Sequence, residues 1–143
     1  MGSLSDGCKK LLEQLKDAIS GEDFIDAAEE PLERLSEMPD SFETVEPILK
    51  LMEENPEVDY GMPGPLVHFL EQFFQNGYEE KLVESLERRP TKHTVWMLNR
   101  IINGVEGDRK TYYLGILEKV IAFPGLEQDV KEQAQHFYSL RAN

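Results

Sequence analysis

The chain has 143 residues, 40% of them hydrophobic, and carries a formal net charge of −13. This length and apolar content fit one folded domain, residues 1–143, and exclude a chain that is disordered by composition. No apolar run approaches the ~20 residues that cross a bilayer, and the negative charge disfavours nucleic acid and anionic membrane surfaces as partners.

The helical spacing of apolar residues predicts the first two helices. The first begins near Ser3, places Cys8 on its apolar stripe and ends at Ser20–Gly21. The second covers about Glu22–Met38. Because a proline inside a helix removes a hydrogen bond and clashes one turn back, we expect Pro31 to kink or divide this helix.

A third helix is predicted after Pro39. Asp40 is a preferred N-cap residue, and Glu43, three residues later, completes the pattern of a capping box. Pro47 predicts a second bend for the same reason as the first. Asn55–Pro56 predicts the end of the helix, because a proline disfavours helical backbone in the residue before it.

Five further helices follow the same periodicity. We predict them at about residues 65–76, 78–88, 91–103, 109–123 and 126–140. No segment alternates apolar and polar residues for long enough to predict a strand, so the fold class is all-α, with about eight short helices. Short loops predict antiparallel neighbours, and a similarity between residues 70–74 and 117–121, offset by 47, predicts a HEAT- or armadillo-like stack of hairpins.

Nearly all of the net charge lies in one segment. Residues 22–59 hold fourteen acidic and two basic residues, a net charge of −12, whereas residues 1–21 are neutral and residues 60–143 carry −1. A charge run is usually a solvated face, but here few basic residues compensate it, and like charges one turn apart repel by about 0.2–0.5 kcal/mol per pair. We therefore predict an acidic contact surface for a basic partner. Its candidate residues are Glu29, Glu33, Glu37, Glu43, Glu46 and Glu53.

The histidines and the cysteine form no recognisable reaction centre. No two of the three histidines lie three or four residues apart, and Cys8 has no cysteine partner, so we predict no metal or cofactor site. His68 and Glu71 can be imagined as an acid–base pair, but we favour a histidine satisfied by neighbouring helix side chains. Cys8 is expected to pack in the core and not to act as a nucleophile. The sequence therefore predicts no catalytic residue and no enzyme.

A tryptophan and an arginine, Trp96 and Arg100, lie on the sixth helix among apolar neighbours. In the structural interpretation, which we favour, Trp96 packs, while Asn99 and Arg100 bond to loop carbonyls or carboxylates. In the functional interpretation, Trp96 and Arg100 anchor a protein interface, where these residue types are enriched. Both residues therefore join the candidate partner-binding set.

Two stretches, GMPGPLVHFLE at residues 61–71 and TVWMLNRIIN at residues 94–103, resemble a group of small helical proteins from bacterial polymorphic-toxin loci. These are immunity proteins, some of them from contact-dependent growth inhibition systems, and the resemblance extends over about residues 40–104. It implies a protein that binds its cognate toxin domain in the cytoplasm and blocks it. The lone cysteine also fits a reducing cytoplasm. Many such toxins are nucleases with basic grooves, so the resemblance and the acidic segment indicate the same kind of partner.

Three hypotheses about function follow. The leading one is a cytoplasmic immunity protein that neutralises a basic, nuclease-type toxin domain by stoichiometric binding. The alternative is a general HEAT-like adaptor for a helix or peptide of a partner protein, which requires a broad exposed apolar groove. The third is a hydrolase that uses His68 and Glu71, which a buried His68 with no cleft beside it would exclude. The oligomeric state stays open.

Overall fold

The protein is all-helical. The computed structural model describes residues 4–61 and 64–142; it is 73% helical and contains, in those ranges, eight α-helices and no strand. The all-α prediction is therefore confirmed. The α-helices are α1 (Asp6–Ile19), α2 (Phe24–Ser36), α3 (Val45–Glu54), α4 (Pro65–Glu71), α5 (Tyr78–Arg88), α6 (Lys92–Asn103), α7 (Gly107–Ile121) and α8 (Gln128–Arg141), and a short 3-10 helix, η1 (Ser41–Thr44), precedes α3. None of these helices has both the length and the apolar character needed to cross a membrane.

The chain divides into two compact units, which we call unit 1 (Met1–Lys81) and unit 2 (Leu82–Asn143). In unit 1, α2 packs against both α1 and α4, and η1 contacts α1 and α3. In unit 2, α6, α7 and α8 each contact the other two. The boundary falls within α5. The single domain over residues 1–143 and the HEAT-like stack of hairpins stay predictions.

The start of α1 is held by contacts from a distant part of the chain. Ser3, near which the start was predicted, lies outside the described residues; the helix begins at Asp6, and the Ser5 hydroxyl accepts a hydrogen bond from the Cys8 backbone at 3.2 Å. The Asp40 carboxylate accepts the Ser5 backbone N–H at 2.9 Å and the Cys8 thiol at 3.1 Å. The predicted capping box at Asp40 and Glu43 is therefore wrong, because Asp40 makes no side-chain capping bond at η1.

Cys8 packs in the core, as predicted, and none of its surface is exposed. Burial, and then the hydrogen bond to Asp40, raises the pKa of the thiol. Reactivity requires a thiolate, and a raised pKa keeps the thiol protonated at neutral pH. The cysteine is therefore a small core residue that also donates to the carboxylate above it.

The two helix prolines are accommodated without dividing a helix. Pro31 lies inside α2, which runs without interruption from Phe24 to Ser36, so the predicted division at Pro31 is wrong. Its ring is buried and adds to the apolar side of the helix. Pro47 is the third residue of α3. Because the first N–H groups of a helix have no intrahelical partner, Pro47 removes no hydrogen bond, and the physical reason for the predicted bend disappears.

The fourth helix is shorter than predicted. It ends at Glu71, and residues 72–77 form turns in which Gln75 has a positive φ of 66° and donates its backbone N–H to the Glu79 carboxylate at 2.9 Å. Gly77 follows with φ 107°, and a Cβ there would lie 2.6 Å from the Phe42 ring. Phe73, which the predicted helix included, lies in these turns and packs its ring against those of Phe42 and Phe69, at 5.4 Å and 5.7 Å between centroids.

The helices of unit 2 lie close to their predicted positions. α6 is capped by Thr91, whose side chain and that of Thr94 form a reciprocal capping box. Both hydroxyl groups are buried. Satisfying two backbone N–H groups locally in this way sets the start of the helix at the residue that the sequence indicated. The starts and ends of α7 and α8 differ from the predicted ones by no more than two residues.

Candidate partner-binding surface

Helix α2 presents its carboxylates on one side and its apolar residues on the other. Phe24, Ala28, Leu32 and Leu35 are buried. The opposite side carries the exposed carboxylates of Asp26, Glu29 and Glu33, and two more flank the helix: Glu22 before its N-cap and Glu37 at its C-cap. We call these five exposed carboxylates the acidic stripe. The spacing of three or four residues that builds the apolar side also aligns these charges, so the local sequence alone produces the stripe.

The acidic stripe is not neutralised within the described part of the chain. None of its five side chains forms a hydrogen bond or an ion pair there. The one basic residue of α2, Arg34, pairs instead with Glu30 at 2.8 Å. Glu33 and Glu37 also lie at the carboxyl end of the helix, where the helix dipole disfavours negative charge. Glu33 and Glu37 therefore lower the stability of unit 1, whereas Asp26, in the first turn of α2, is favoured by the dipole.

A groove lies beside the acidic stripe, between α2 and α4. It has a volume of about 400 Å³ and is lined by Glu29, Leu32, Glu33 and Ser36 from α2, and by Pro65, His68, Phe69 and Gln72. Leu32 and Phe69 form a floor that is only 4% and 5% exposed. Glu29 and Glu33 rise on one wall, and the exposed side chains of His68 and Gln72 face them from the other. We call this feature the α2–α4 groove.

The turn before α4 fixes one side of this groove. Gly64 has a φ of 134°, and a Cβ there would lie 2.0 Å from the carbonyl oxygen of Tyr60, so only glycine fits. Tyr60 is fully buried; its hydroxyl donates to the Asn55 carbonyl at 2.8 Å, and its ring meets that of Phe24 edge-on at 5.1 Å. The loop is thus anchored on α2. Residues 62 and 63 of the GMPGP turn lie outside the described residues.

His68 is exposed and lines the α2–α4 groove. A buried His68 with no cleft beside it would have excluded the hydrolase hypothesis, and the structure does not have that arrangement. The pair that the hydrolase hypothesis needs is not formed, however. The His68 imidazole makes no hydrogen bond or ion pair with any described residue, Glu71 included, and Glu71 does not line the groove. The favoured interpretation of a histidine satisfied by neighbouring side chains is also wrong, because this imidazole faces solvent.

The other predicted acidic residues differ from one another in the structure. Glu43 is exposed on η1 and has no side-chain partner among the residues described. Glu46 lies 3.7 Å from Lys50 and 3.6 Å from Lys81, so its charge is compensated. Glu53 is 7% exposed and does not contribute to an exposed acidic surface. It lies four residues after the buried Leu49, so helical spacing alone indicates its burial.

The two predicted anchors of unit 2 contact each other. The Arg100 guanidinium lies 5.1 Å from the centroid of the Trp96 ring, a cation–π arrangement, and the His93 ring meets Trp96 at 5.8 Å. Both anchors are half-buried. Asn99 is buried and accepts a hydrogen bond from Arg141 of α8 at 3.1 Å, where a loop carbonyl or carboxylate had been expected as its partner. An interface role for Trp96 and Arg100 stays a prediction.

The described ranges bring no three histidine, cysteine or carboxylate side chains together in a group that could hold a metal ion. Comparison of the chain with known protein families, curated proteins and solved structures finds no match. The resemblance to immunity proteins therefore stays a prediction, and the surface has to be interpreted from its own chemistry.

Proposed function

We propose that this protein is an immunity-type inhibitor that binds a basic toxin domain in the cytoplasm and blocks it stoichiometrically. The observation that carries the proposal is the acidic stripe, whose five exposed carboxylates have no partner within the described residues. A basic partner would neutralise them on binding. The HEAT-like stacking of helical hairpins is the finer part of the same proposal.

Electrostatics gives this surface a specific advantage in inhibition. An inhibitor must find its toxin quickly, and complementary charge raises association rates while it discourages wrong partners. A nuclease domain has to attract phosphates, so its substrate groove is basic, and the acidic stripe suits that groove or a surface beside it. The mutual repulsion of the stripe in the free protein is relieved in such a complex.

The adaptor alternative has less support. It requires a broad exposed apolar groove, and within the described ranges the large apolar side chains that are exposed are Tyr112 and Leu140, both in unit 2. The apolar floor of the α2–α4 groove is itself buried under a polar rim. An acidic surface therefore explains more of what is exposed than an apolar one.

The test is binding and inhibition of the toxin domain encoded beside this chain's gene. We expect co-purification at equal stoichiometry and loss of toxin activity in the complex. The variant Glu29→Lys/Glu33→Lys/Glu37→Lys should weaken binding by about 3 kcal/mol, roughly a hundredfold in Kd, because like charges then face each other. Unchanged binding by this variant would exclude the acidic-stripe mechanism while leaving inhibition possible.

A matched control separates this effect from net charge. Glu54, Glu57 and Glu132 are exposed and have no side-chain partner among the described residues. The variant Glu54→Lys/Glu57→Lys/Glu132→Lys changes the net charge by the same amount outside the acidic stripe. We expect its affinity to fall much less than that of the stripe variant. Equal losses would mean that overall charge, and not this surface, governs binding.

A further inference from the structure

The α2–α4 groove offers different chemistry on each of its surfaces. The carboxylates of Glu29 and Glu33 lie one helical turn apart on α2, exposed and without a partner among the described residues. The opposite wall carries the imidazole of His68 and the amide of Gln72. The open groove has an apolar floor, which the nearly buried side chains of Leu32 and Phe69 line. An occupant must therefore carry positive charge at one end and apolar surface along its length.

We propose that the α2–α4 groove receives an arginine side chain of the partner protein. This inference rests on the proposed function, because the arginine belongs to the basic partner proposed above. Two carboxylates one turn apart repel each other, and a cation between them replaces that repulsion with two attractions. The aliphatic stem of the arginine lies over the apolar floor while its charged head stays at the rim.

The arrangement of acceptors favours arginine over lysine. A guanidinium presents five N–H donors in a planar fork and binds carboxylates with two parallel hydrogen bonds, whereas an ammonium is a compact, strongly hydrated charge with three donors. Besides the two carboxylates, the groove offers the Gln72 amide oxygen and the Ser36 hydroxyl. That hydroxyl already donates to the Glu33 carbonyl at 2.7 Å, so its lone pairs remain to accept.

The size of the groove agrees with one long side chain. Its volume of about 400 Å³ lies near the lower end of the roughly 300–1,000 Å³ found for small-molecule pockets. A whole helix would not enter it. It has room for one long side chain such as arginine, while the rest of the acidic stripe contacts the partner outside the groove.

The first test uses two probes of equal charge, an acetylated and amidated tetra-arginine peptide and the matching tetralysine peptide, titrated into the full chain and followed by NMR. We expect the arginine peptide to bind about threefold more tightly or better, since the planar fork of donors on a guanidinium can bind several of these acceptors at once. The largest shifts should fall on the Gln72 side-chain amide and on α4. Equal affinities, with shifts spread evenly along the acidic stripe, would overturn the proposal.

A pair of matched variants gives the second test. Glu29→Gln/Glu33→Gln removes both carboxylates of the groove, and Glu22→Gln/Glu37→Gln removes two charges from the same stripe outside it. The first variant should lose about tenfold in affinity for the arginine peptide and the second about twofold or less, because two direct ion pairs are removed only in the first. Equal losses would contradict an arginine site in the groove.

The same variants separate the groove assignment from the proposed function. Failure of the toxin domain to bind, with the arginine preference of the peptide intact, would refute the proposed function and leave the groove assignment standing. A toxin complex that both variants weaken equally would support inhibition and refute the groove assignment. Backbone NMR spectra of each variant, compared with the parent chain, show whether the fold is retained.

Discussion

The two units build similar helices with very different charge. Unit 1 contains 20 acidic and 6 basic residues, a net charge of −14, whereas unit 2 contains 8 acidic and 9 basic residues, a net charge of +1. The same chain can therefore form a packed set of helices from a balanced composition. The acidity of unit 1 is not needed to make helices, which supports a role for it in binding.

The units also use their polar side chains differently. In unit 2, polar contacts join neighbouring helices: Lys92 lies 3.9 Å from Asp129, and Gln133 donates to the Lys92 carbonyl at 2.9 Å. Unit 1 leaves the acidic stripe without such contacts in the described residues. Side chains that are tied into the fold are unavailable to a partner, so the free carboxylates of unit 1 are the better candidates for recognition.

Glycine substitution should give the largest difference between the units. Gly64 of unit 1 and Gly125 of unit 2 both have positive φ, but a Cβ would strike the Tyr60 carbonyl at 2.0 Å in the first case and meet nothing within 4 Å in the second. We expect Gly64→Ala to cost about 3 kcal/mol and Gly125→Ala about 1 kcal/mol in the free energy of unfolding. Urea unfolding measures both.

This prediction also tests the groove. Gly64→Ala should weaken peptide binding in the α2–α4 groove, because it displaces the turn that begins α4, whereas Gly125→Ala should leave binding unchanged. Equal unfolding costs at the two glycines would show that the turn before α4 is not held against Tyr60 as the structure has it.

Reversing charge at the carboxyl end of a helix should have opposite effects in the two units. Glu33→Lys/Glu37→Lys should stabilise the protein by about 1 kcal/mol at low ionic strength, because cations suit that end of α2. Lys119→Glu, in the last turn of α7, should destabilise it by about 0.5 kcal/mol. Both effects should shrink at about 1 M salt, where the Debye length falls to about 3 Å.

The first of these variants separates stability from binding. A stripe variant that is more stable than the parent chain and yet binds the toxin more weakly would show that the acidic surface is retained for its partner. A variant that is less stable than the parent chain would contradict the conclusion that Glu33 and Glu37 lower the stability of unit 1.

Local signals predicted the helices, and distant contacts account for the errors. The start of α6 was predictable because Thr91 and Thr94 cap it within four residues. Asp40 carries an equally good local capping signal. Its carboxylate nevertheless bonds to Ser5 and Cys8, which lie 35 and 32 residues away, and does not cap the helix that follows it. Local capping patterns cannot exclude a better partner elsewhere in the chain.

The candidate site likewise has one part that the local sequence predicts and one part that depends on distant contacts. The acidic stripe follows from helical spacing and was predicted with Glu29, Glu33 and Glu37 in place. The α2–α4 groove was not, because nothing in the sequence brings His68 opposite Glu29. The two residues lie opposite each other because α4 packs against α2 and because the chain turns at Gly64. The need for glycine at this turn depends on the position of the Tyr60 carbonyl, which the sequence does not reveal.

Acid should weaken unit 1 through Asp40. The hydrogen bond from the Ser5 backbone, and then the one from the Cys8 thiol, lowers the pKa of this carboxyl below its usual 3.8. Asp40 therefore contributes stability that is present above about pH 4 and is lost as the pH falls through the lowered pKa of the folded state. Asp40→Asn should lower the Tm near neutral pH, and the difference from the parent chain should shrink below about pH 4. A difference that stays constant with pH would contradict the charged interaction.

Alkaline pH should destabilise unit 2 through Tyr138. We expect this effect to be smaller than those of the glycine, charge-reversal and Asp40 variants. Its hydroxyl donates to the Glu118 carboxylate at 2.7 Å, and this bond is the main cause of a pKa raised above 10. The folded state holds the proton more tightly, so the contribution to stability is full below about pH 10 and is lost as the pH rises through the raised pKa. Tyr138→Phe should thus lower the Tm slightly near neutral pH and make no difference in strong base. Because Asp40 titrates only in acid, the Tm difference between Asp40→Asn and the parent chain should stay constant over this alkaline range. If the Tm differences of both variants changed in parallel, general unfolding, and not these two hydrogen bonds, would set the pH limits.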